Sequence, residues 1–151
     1  EIVRRIHPER NVMEGKLLSS IGLVYSESRL EDALAMYKKA DCIFRKILGP
    51  DCVQVGQVLV NTAAALREMG KVEDAMMKYG EGLEIMRRTH GDEHRHVVET
   101  LYGLGLCKKQ AGDSDGYFVC MNEALRIVEN LKRRESTGTI DGLLEKLGVG
   151  K

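Results

Sequence analysis

The sequence has few of the features that mark nucleic-acid-binding, membrane or loop-rich proteins. It has no tryptophan and two prolines in 151 residues, and aromatic residues make up 5% of it. Basic and acidic residues balance at 23 each, so no overall field attracts nucleic acid or an anionic membrane surface. It has no run of about 18 apolar residues that could cross a bilayer, and nothing resembles a signal peptide. We therefore expect a mostly helical, cytoplasmic protein with no nucleic-acid or membrane partner.

Cysteine is also sparse, and its placement argues against both disulfides and catalysis. Cys42, Cys52, Cys107 and Cys120 form no CxxC pair, and a disulfide framework is not expected in so helical a chain. None of them has a histidine at the spacing of a nucleophile motif, and the chain has no glycine-rich phosphate loop. We therefore predict no catalytic residue, no enzymatic activity and no cofactor.

Three of the histidines lie close together in the sequence. His90, His94 and His96 fall within seven residues, which invites interpretation as a metal site. The cluster is not accompanied by a cysteine or carboxylate set at zinc spacing. On the sequence alone we predict no metal site.

What the chain does have is a repeat of 42 residues. The segment Leu-Glu-Asp-Ala at 30–33 returns as Val-Glu-Asp-Ala at 72–75, and Gly70 is matched by Gly112. Between these landmarks the apolar residues are spaced by three and four, as on the buried face of a helix. Each repeat is therefore predicted to be two amphipathic helices joined by a tight turn.

The repeat predicts the organisation of the chain. We expect the end of a truncated upstream repeat helix at 1–7, three repeats at 8–49, 50–91 and 92–134, and a linker with a C-terminal capping helix at 135–151. The repeat helices are expected at 8–27, 30–48, 52–68, 72–89, 94–111 and 114–132.

Two further expectations concern the helix ends. Residues 49–51 should end one helix and offer a cap for the next. Asp51 and Glu93 occupy matching positions, where negative charge favours a following helix N-terminus.

The predicted C-terminal capping helix has an alternative role, as an exposed peptide that docks on another chain.

The second repeat carries the residues that indicate a family. Leu59, Ala63, Gly70, Ala75 and Tyr79 supply the leucine, small residue, turn glycine, alanine and aromatic of the tetratricopeptide repeat, which the chain resembles.

The linkers between repeats refine this resemblance. Residues 49–55 and 91–97 are similar to the linker of kinesin light chains and related proteins. The resemblance implies an all-α fold, a right-handed α-α superhelical solenoid of tetratricopeptide repeats with a C-terminal capping helix.

The resemblance also implies a binding surface, because the first helix of every tetratricopeptide repeat lines a concave groove. Counted from the small residues of those helices, the peptide-binding groove would include Lys16, Ser19, Leu23, Gln57, Val60, Asn61, Arg67, Glu99, Tyr102, Leu106 and Lys109. A convex face or an edge of the array is the alternative surface.

The function implied is that of a non-catalytic scaffold or adaptor, which binds a peptide or helical segment of a partner protein. The alternative is a structural module that stacks end to end with further repeats, or self-associates, within a larger complex.

Overall fold

The computed structural model describes residues 8–134 and 141–148 of the chain. Within those ranges it has seven α-helices and no strand, which confirms the all-α prediction. In chain order they are α1 (Pro8–Tyr25), α2 (Leu30–Leu48), α3 (Val53–Glu68), α4 (Val72–His90), α5 (Arg95–Gln110), α6 (Ser114–Arg134) and α7 (Asp141–Lys146). None of these seven combines the length and the apolar content that spanning a lipid bilayer requires. The upstream helix predicted at 1–7 and the linker at 135–140 lie outside the described residues.

The boundaries of α1 to α6 agree with the predicted ranges to within two residues. One difference of two residues is at the C-terminal end of α1, which is predicted to extend to residue 27 but ends at Tyr25. Its end is fixed because the backbone N–H groups of Ser28 and Arg29 both donate to the Tyr25 carbonyl, at 3.1 and 2.6 Å. These two bonds form the tight turn that is predicted between the helices of the first repeat.

Two glycines end the first helices of the second and third repeats. Gly70 and Gly112 have φ of 80° and 86°, a left-handed conformation that favours glycine. After α3, the N–H of Lys71 donates to the Leu66 carbonyl at 2.9 Å, and the N–H of Gly70 donates to Arg67 at 3.0 Å. This pair of bonds is a Schellman motif, which satisfies carbonyls that the helix end would leave unpaired.

The prediction that residues 49–51 cap the third helix is wrong. α3 begins after Cys52, whose backbone is extended and whose side chain makes no capping hydrogen bond. At the equivalent place before α5, the cap is His94, whose Nδ1 accepts a hydrogen bond from the backbone N–H of His96 at 3.2 Å. An imidazole nitrogen here takes the role that Ser, Thr or Asp usually plays.

The described residues group into two compact units, which divide after Ile85. In the first unit α1 packs against α2, and α2 packs against α3. Tyr37 and Phe44 of α2 are 1% and 2% exposed and form the centre of its core. Because each such ring removes a large apolar area from water, its burial stabilises the unit by about 1.5–3 kcal/mol.

Two glycines of α1 make room for these rings. A Cβ atom at Gly22 would lie 2.5 Å from Cε1 of Tyr37, and one at Gly15 would lie 2.6 Å from Cε1 of Phe44. Real Cβ atoms do not approach a ring so closely, so any larger residue would push α1 away from α2.

In the second unit α5 packs against α6, and α7 contacts α6. Val97, Ile127 and Val128 are fully buried between the two long helices. Thr100 is buried with them, and its hydroxyl is satisfied because it donates to the His96 carbonyl at 2.7 Å. Leu143 of α7 is 4% exposed, so the short helix at the predicted capping position buries at least this side chain.

We predict that Gly22→Ala destabilises the protein, whereas Gly80→Ala stabilises it. The alanine methyl at 22 meets the Tyr37 ring, and this overpacking costs about 1–3 kcal/mol, more than the gain of about 1 kcal/mol in helix propensity. Gly80 is the matched control, because it lies inside α4 with no atom within 4 Å of an added Cβ. Its replacement should raise the free energy of unfolding by about 0.5–1 kcal/mol. Urea unfolding followed by circular dichroism measures both changes, and equal stabilisation by the two variants would contradict this account.

Candidate functional site

The predicted groove residues of α1 lie on one face of that helix. Lys16, Ser19 and Leu23 are spaced by three and four residues; Lys16 is exposed, and Leu23 is 50% exposed. The Ser19 hydroxyl oxygen is buried, and no hydrogen-bond partner serves it among the described residues. This face therefore presents a cation, an apolar side chain and a hydroxyl whose hydrogen-bonding capacity is unused.

The predicted residues of α3 are half-buried and share a face in the same way. The Gln57 side-chain amide donates from Nε2 to Oδ1 of Asn61 at 3.2 Å, so these two residues support each other one turn apart. Val60 lies between them on the same side of the helix.

Arg67, the penultimate residue of α3, has a buried side-chain nitrogen without a partner among the described residues. Its Nε is buried, and within the described ranges it has no hydrogen-bond partner. A guanidinium nitrogen in this state has lost water without gaining an acceptor, which costs roughly 1–3 kcal/mol or more for a charged group. A carboxylate or carbonyl oxygen from a partner molecule would restore the missing bond.

The predicted residues of α5 form the corresponding face of the second unit. Glu99, Tyr102 and Leu106 are half-buried, and Lys109 is exposed. Glu99 accepts a hydrogen bond from Arg95 at 3.1 Å. The Lys109 ammonium lies 5.2 Å from the centre of the Tyr117 ring, a distance suited to a cation–π contact.

An apolar pocket adjoins this face of α5. It has a volume of about 290 Å³ and is lined by Val98, Glu99, Tyr102, Leu143, Lys146 and Leu147. Two of the predicted groove residues, Glu99 and Tyr102, are thereby brought into one pocket with side chains of α7. The sequence did not predict that α7 forms a wall of a pocket, although its leucine pattern predicted an amphipathic helix there.

The structure also brings the three clustered histidines into contact. The His90 and His94 rings stack with centroids 4.1 Å apart and planes 9° apart, and His96 lies 5.4 Å and 5.0 Å from them. Burial is the main cause that lowers the pKa of His94, and the neighbouring His90 and His96 lower it further. The sequence spacing was visible, but it did not show that all three rings lie side by side.

Glu93 has partners that the sequence did not reveal. Its carboxylate accepts a hydrogen bond from Asn130 Nδ2 at 2.8 Å and forms an ion pair with Arg134 at 2.8 Å. Arg87 in the last turn of α4 forms an ion pair with Glu123 of α6. These pairs lie 36 residues or more apart in the sequence, so no local pattern could predict them.

The buried Cys120 thiol does not have the environment of a reactive cysteine. All four cysteines are free, and Cys107 and Cys120 are buried. Burial is the main cause that raises the pKa of the Cys120 thiol, so this group stays protonated at neutral pH. A protonated, buried thiol is a poor nucleophile.

The helical pairs, the turn glycines and the small residues between helices have a counterpart among known families. The model of the tetratricopeptide repeat family matches residues 54–130, more than half of the chain. The chain therefore belongs to the tetratricopeptide repeat family, whose members generally mediate protein–protein interactions. We found no match to the chain among curated protein sequences.

Solved structures support the fold. The crystal structure of BtubC (BKLC) from P. vanneervenii is similar with a TM-score of 0.74 and 20% sequence identity, over 89% of this chain and 57% of that one. The chain thus spans little more than half of that protein. Two crystal structures of a putative kinesin light chain from Podosopora anserina, with nearly identical TPR-like repeats, match with a TM-score of 0.70 and 15% identity. They cover 95% of this chain and 69% of that one, and the likeness concerns the fold alone.

We predict that acidification destabilises the protein partly through His94. Its pKa is lowered in the folded state, so the unfolded chain takes up the proton first as the pH falls through the ordinary histidine value of about 6.5. Stability is then lost until the pH passes the folded-state pKa. His94→Asn keeps a capping side chain but removes this titration.

Thermal unfolding at about pH 7.5 and about pH 5.5 measures the effect. The loss of stability between these values should be smaller in His94→Asn than in the unchanged protein. An equal loss in both would show that His94 does not contribute.

Proposed function

We propose that the chain is a non-catalytic interaction module that binds a peptide or helical segment of a partner protein on the predicted groove faces of α1, α3 and α5. The observation that carries the proposal concerns the four buried polar atoms that have no hydrogen-bond partner among the described residues. Two of them, Ser19 Oγ and Arg67 Nε, belong to predicted groove residues. Both belong to the surface that the repeat pattern had singled out. Buried donors are almost always satisfied in folded proteins, so an unsatisfied one is a site where a ligand can gain affinity.

The charge of these faces indicates what the partner segment carries. Lys16 and Arg67 in the first unit are cations at groove positions, and Arg67 has an unused donor. In the second unit Glu99 is already paired with Arg95, so its negative charge is partly met within the chain. We therefore propose an acidic group on the partner, held by a charge-assisted hydrogen bond to Arg67.

The pocket beside Tyr102 suggests a second contact. Its walls are the side chains of Val98, Tyr102, Leu143 and Leu147, with Lys146 and Glu99 completing the lining. A leucine-sized or phenylalanine-sized side chain of the partner would be buried there, and such an anchor supplies about 2 kcal/mol of binding free energy. The exposed ion pairs around it add less than about 1 kcal/mol each.

The proposal also includes the general role of the protein and its cellular location. The kinesin light chain named among the similar structures supports a scaffold or adaptor role for this chain. Free thiols at all four cysteines suit a reducing compartment, so we place the protein in the cytoplasm.

We expect a random peptide library displayed on phage to yield binders that combine an acidic residue with a bulky apolar residue. For a selected peptide, Tyr102→Ala should weaken binding by about 10- to 30-fold, because it removes the apolar contact of about 2 kcal/mol. Arg67→Glu should weaken it similarly, because it reverses the charge that meets the acidic group. Fluorescence polarisation with the labelled peptide measures both changes.

Matched controls lie on α6, away from these faces. Phe118→Ala removes an aromatic side chain that is 59% exposed, and Arg126→Glu reverses an exposed charge. Both should change the affinity by less than about twofold. If the controls weaken binding as much as the groove variants do, or if no peptide is selected, the groove proposal fails.

An assembly role is the second candidate, and one observation favours it. Met13, Leu17 and Val24 of α1 are 70%, 61% and 70% exposed, and their spacing places them along one side of the helix. Exposed apolar residues grouped in this way are typical of a surface that packs on another element. In this role α1 would stack on a further helical repeat or on a second copy of the chain.

If that second role is correct, the protein self-associates through α1. Sedimentation velocity should show a dimer that forms as concentration rises, and Leu17→Glu should shift the equilibrium to monomer because it places a charge in the contact. Met77→Glu is the matched control, since Met77 is 66% exposed on another helix. A monomer at all concentrations would exclude self-association through α1.

A further inference from the structure

We propose that His90, His94 and His96 form a binding site for a zinc ion. One ligand atom from each of the three rings can be chosen so that all three lie within 4.8 Å of one another. Three neutral imidazole ligands with an open fourth position are an established zinc set. The zinc proposal does not rest on the proposed peptide binding, although Glu99, which lies beside His96, is also a predicted groove residue.

The distances require only a small rearrangement. Zn–N bonds of about 2.0–2.1 Å in a tetrahedral set place the donor nitrogens about 3.4 Å apart. The present separations are at most 4.8 Å, so rotation of the half-buried rings is enough to bring them onto one ion. The cluster spans the end of α4 and the first turn of α5, and a bound ion would tie residue 90 to that turn.

The hydrogen bonds indicate which nitrogens are available. His90 Nε2 is buried and has no hydrogen-bond partner within the described parts of the chain. His94 uses Nδ1 to accept from the His96 backbone N–H at 3.2 Å, and His96 directs Nδ1 toward Oε2 of Glu99 at 3.6 Å. We therefore assign Nε2 of each ring as the ligand atom. At His94 it becomes free only when the ring proton moves to Nδ1, which accepts the capping bond without zinc.

Glu99 completes the usual surroundings of a zinc ligand. When Nε2 of His96 binds the ion, its proton resides on Nδ1, which faces the Glu99 carboxylate at 3.6 Å. A carboxylate behind a zinc-bound histidine fixes the ring and raises its basicity.

Binding has a further consequence at the start of α5. When the ion binds His94 through Nε2, the ring proton moves to Nδ1, which can no longer accept from the His96 N–H. The 3.2 Å bond that caps α5 is then lost. The amide signal of His96 should therefore shift in ¹H–¹⁵N NMR spectra as zinc is added, which a zinc ion bound elsewhere would not cause.

Isothermal titration of the chain with ZnCl2 tests the site directly. We expect one ion per chain, with no saturable binding of MgCl2, because Mg²⁺ requires oxygen ligands. His90→Gln, His94→Asn and His96→Gln should each weaken zinc binding at least about tenfold, and Glu99→Gln should weaken it by about tenfold. His96→Gln leaves the capping imidazole of His94 in place, so its loss of affinity does not depend on the cap.

His7→Gln is the matched control, because His7 is the fourth histidine of the sequence and lies 83 residues before His90 in the chain. It should leave the affinity unchanged. Cobalt substitution identifies the ligands, since thiolate ligands give an intense charge-transfer band that imidazoles do not. Absence of saturable zinc binding, binding that survives loss of all three histidines, or a thiolate band would each overturn the proposal.

Discussion

The structure depends on how closely the two helices of a pair approach. In the first pair the rings of Tyr37 and Phe44 occupy the space that Gly22 and Gly15 leave open on the facing helix. In the third pair a Cβ at Gly105 would lie 2.7 Å from Cε of Met121, so the same arrangement recurs with a flexible side chain in place of a ring. A large side chain against a glycine fixes the helix spacing, the rotation of each helix about its axis and hence which residues remain outside.

The candidate binding residues follow from that constraint. On α3, Val58, Leu59 and Ala63 are buried in the core, whereas Gln57 and Arg67 are half-buried. Val60 faces α4, since a Cβ atom at Gly82 would lie 2.9 Å from its Cγ2. On α5 the burial of Val98 and Leu101 leaves Tyr102 and Leu106 half-buried in the same way. A rigid helix then holds these side chains in place before any partner binds, which lowers the entropy cost of association.

Much of the fold could be predicted from the sequence because its signals are local and repeated. The turn glycines, the three-and-four spacing and the 42-residue period each specify helices within a few dozen residues. The features that escaped prediction depend on side chains that meet across helices. Glu93 bonds to Asn130 and Arg134, and the wall of the Tyr102 pocket comes from α7. The predicted cap of α3 is wrong for a different reason. Asp51 is a favourable capping residue, but the helix begins one residue later than a cap at Asp51 requires.

The contact between the three histidine rings is a further feature that could not be predicted from the sequence. Their spacing matches no zinc motif, and yet the turn at Gly91 and the start of α5 place the three rings in contact. Ligand spacing along a chain is therefore a weak guide when a sharp turn separates the ligands.

The claim that the outer faces of α1, α3 and α5 bind a partner is tested most directly by mapping a selected peptide with NMR. The account predicts that amide signals near Ser19, Arg67 and Tyr102 shift on titration, while those near Met77 and Phe118 stay in place. Shifts confined to the surroundings of Met77 and Phe118 would contradict it, because they would place the partner outside the faces that helix packing leaves open.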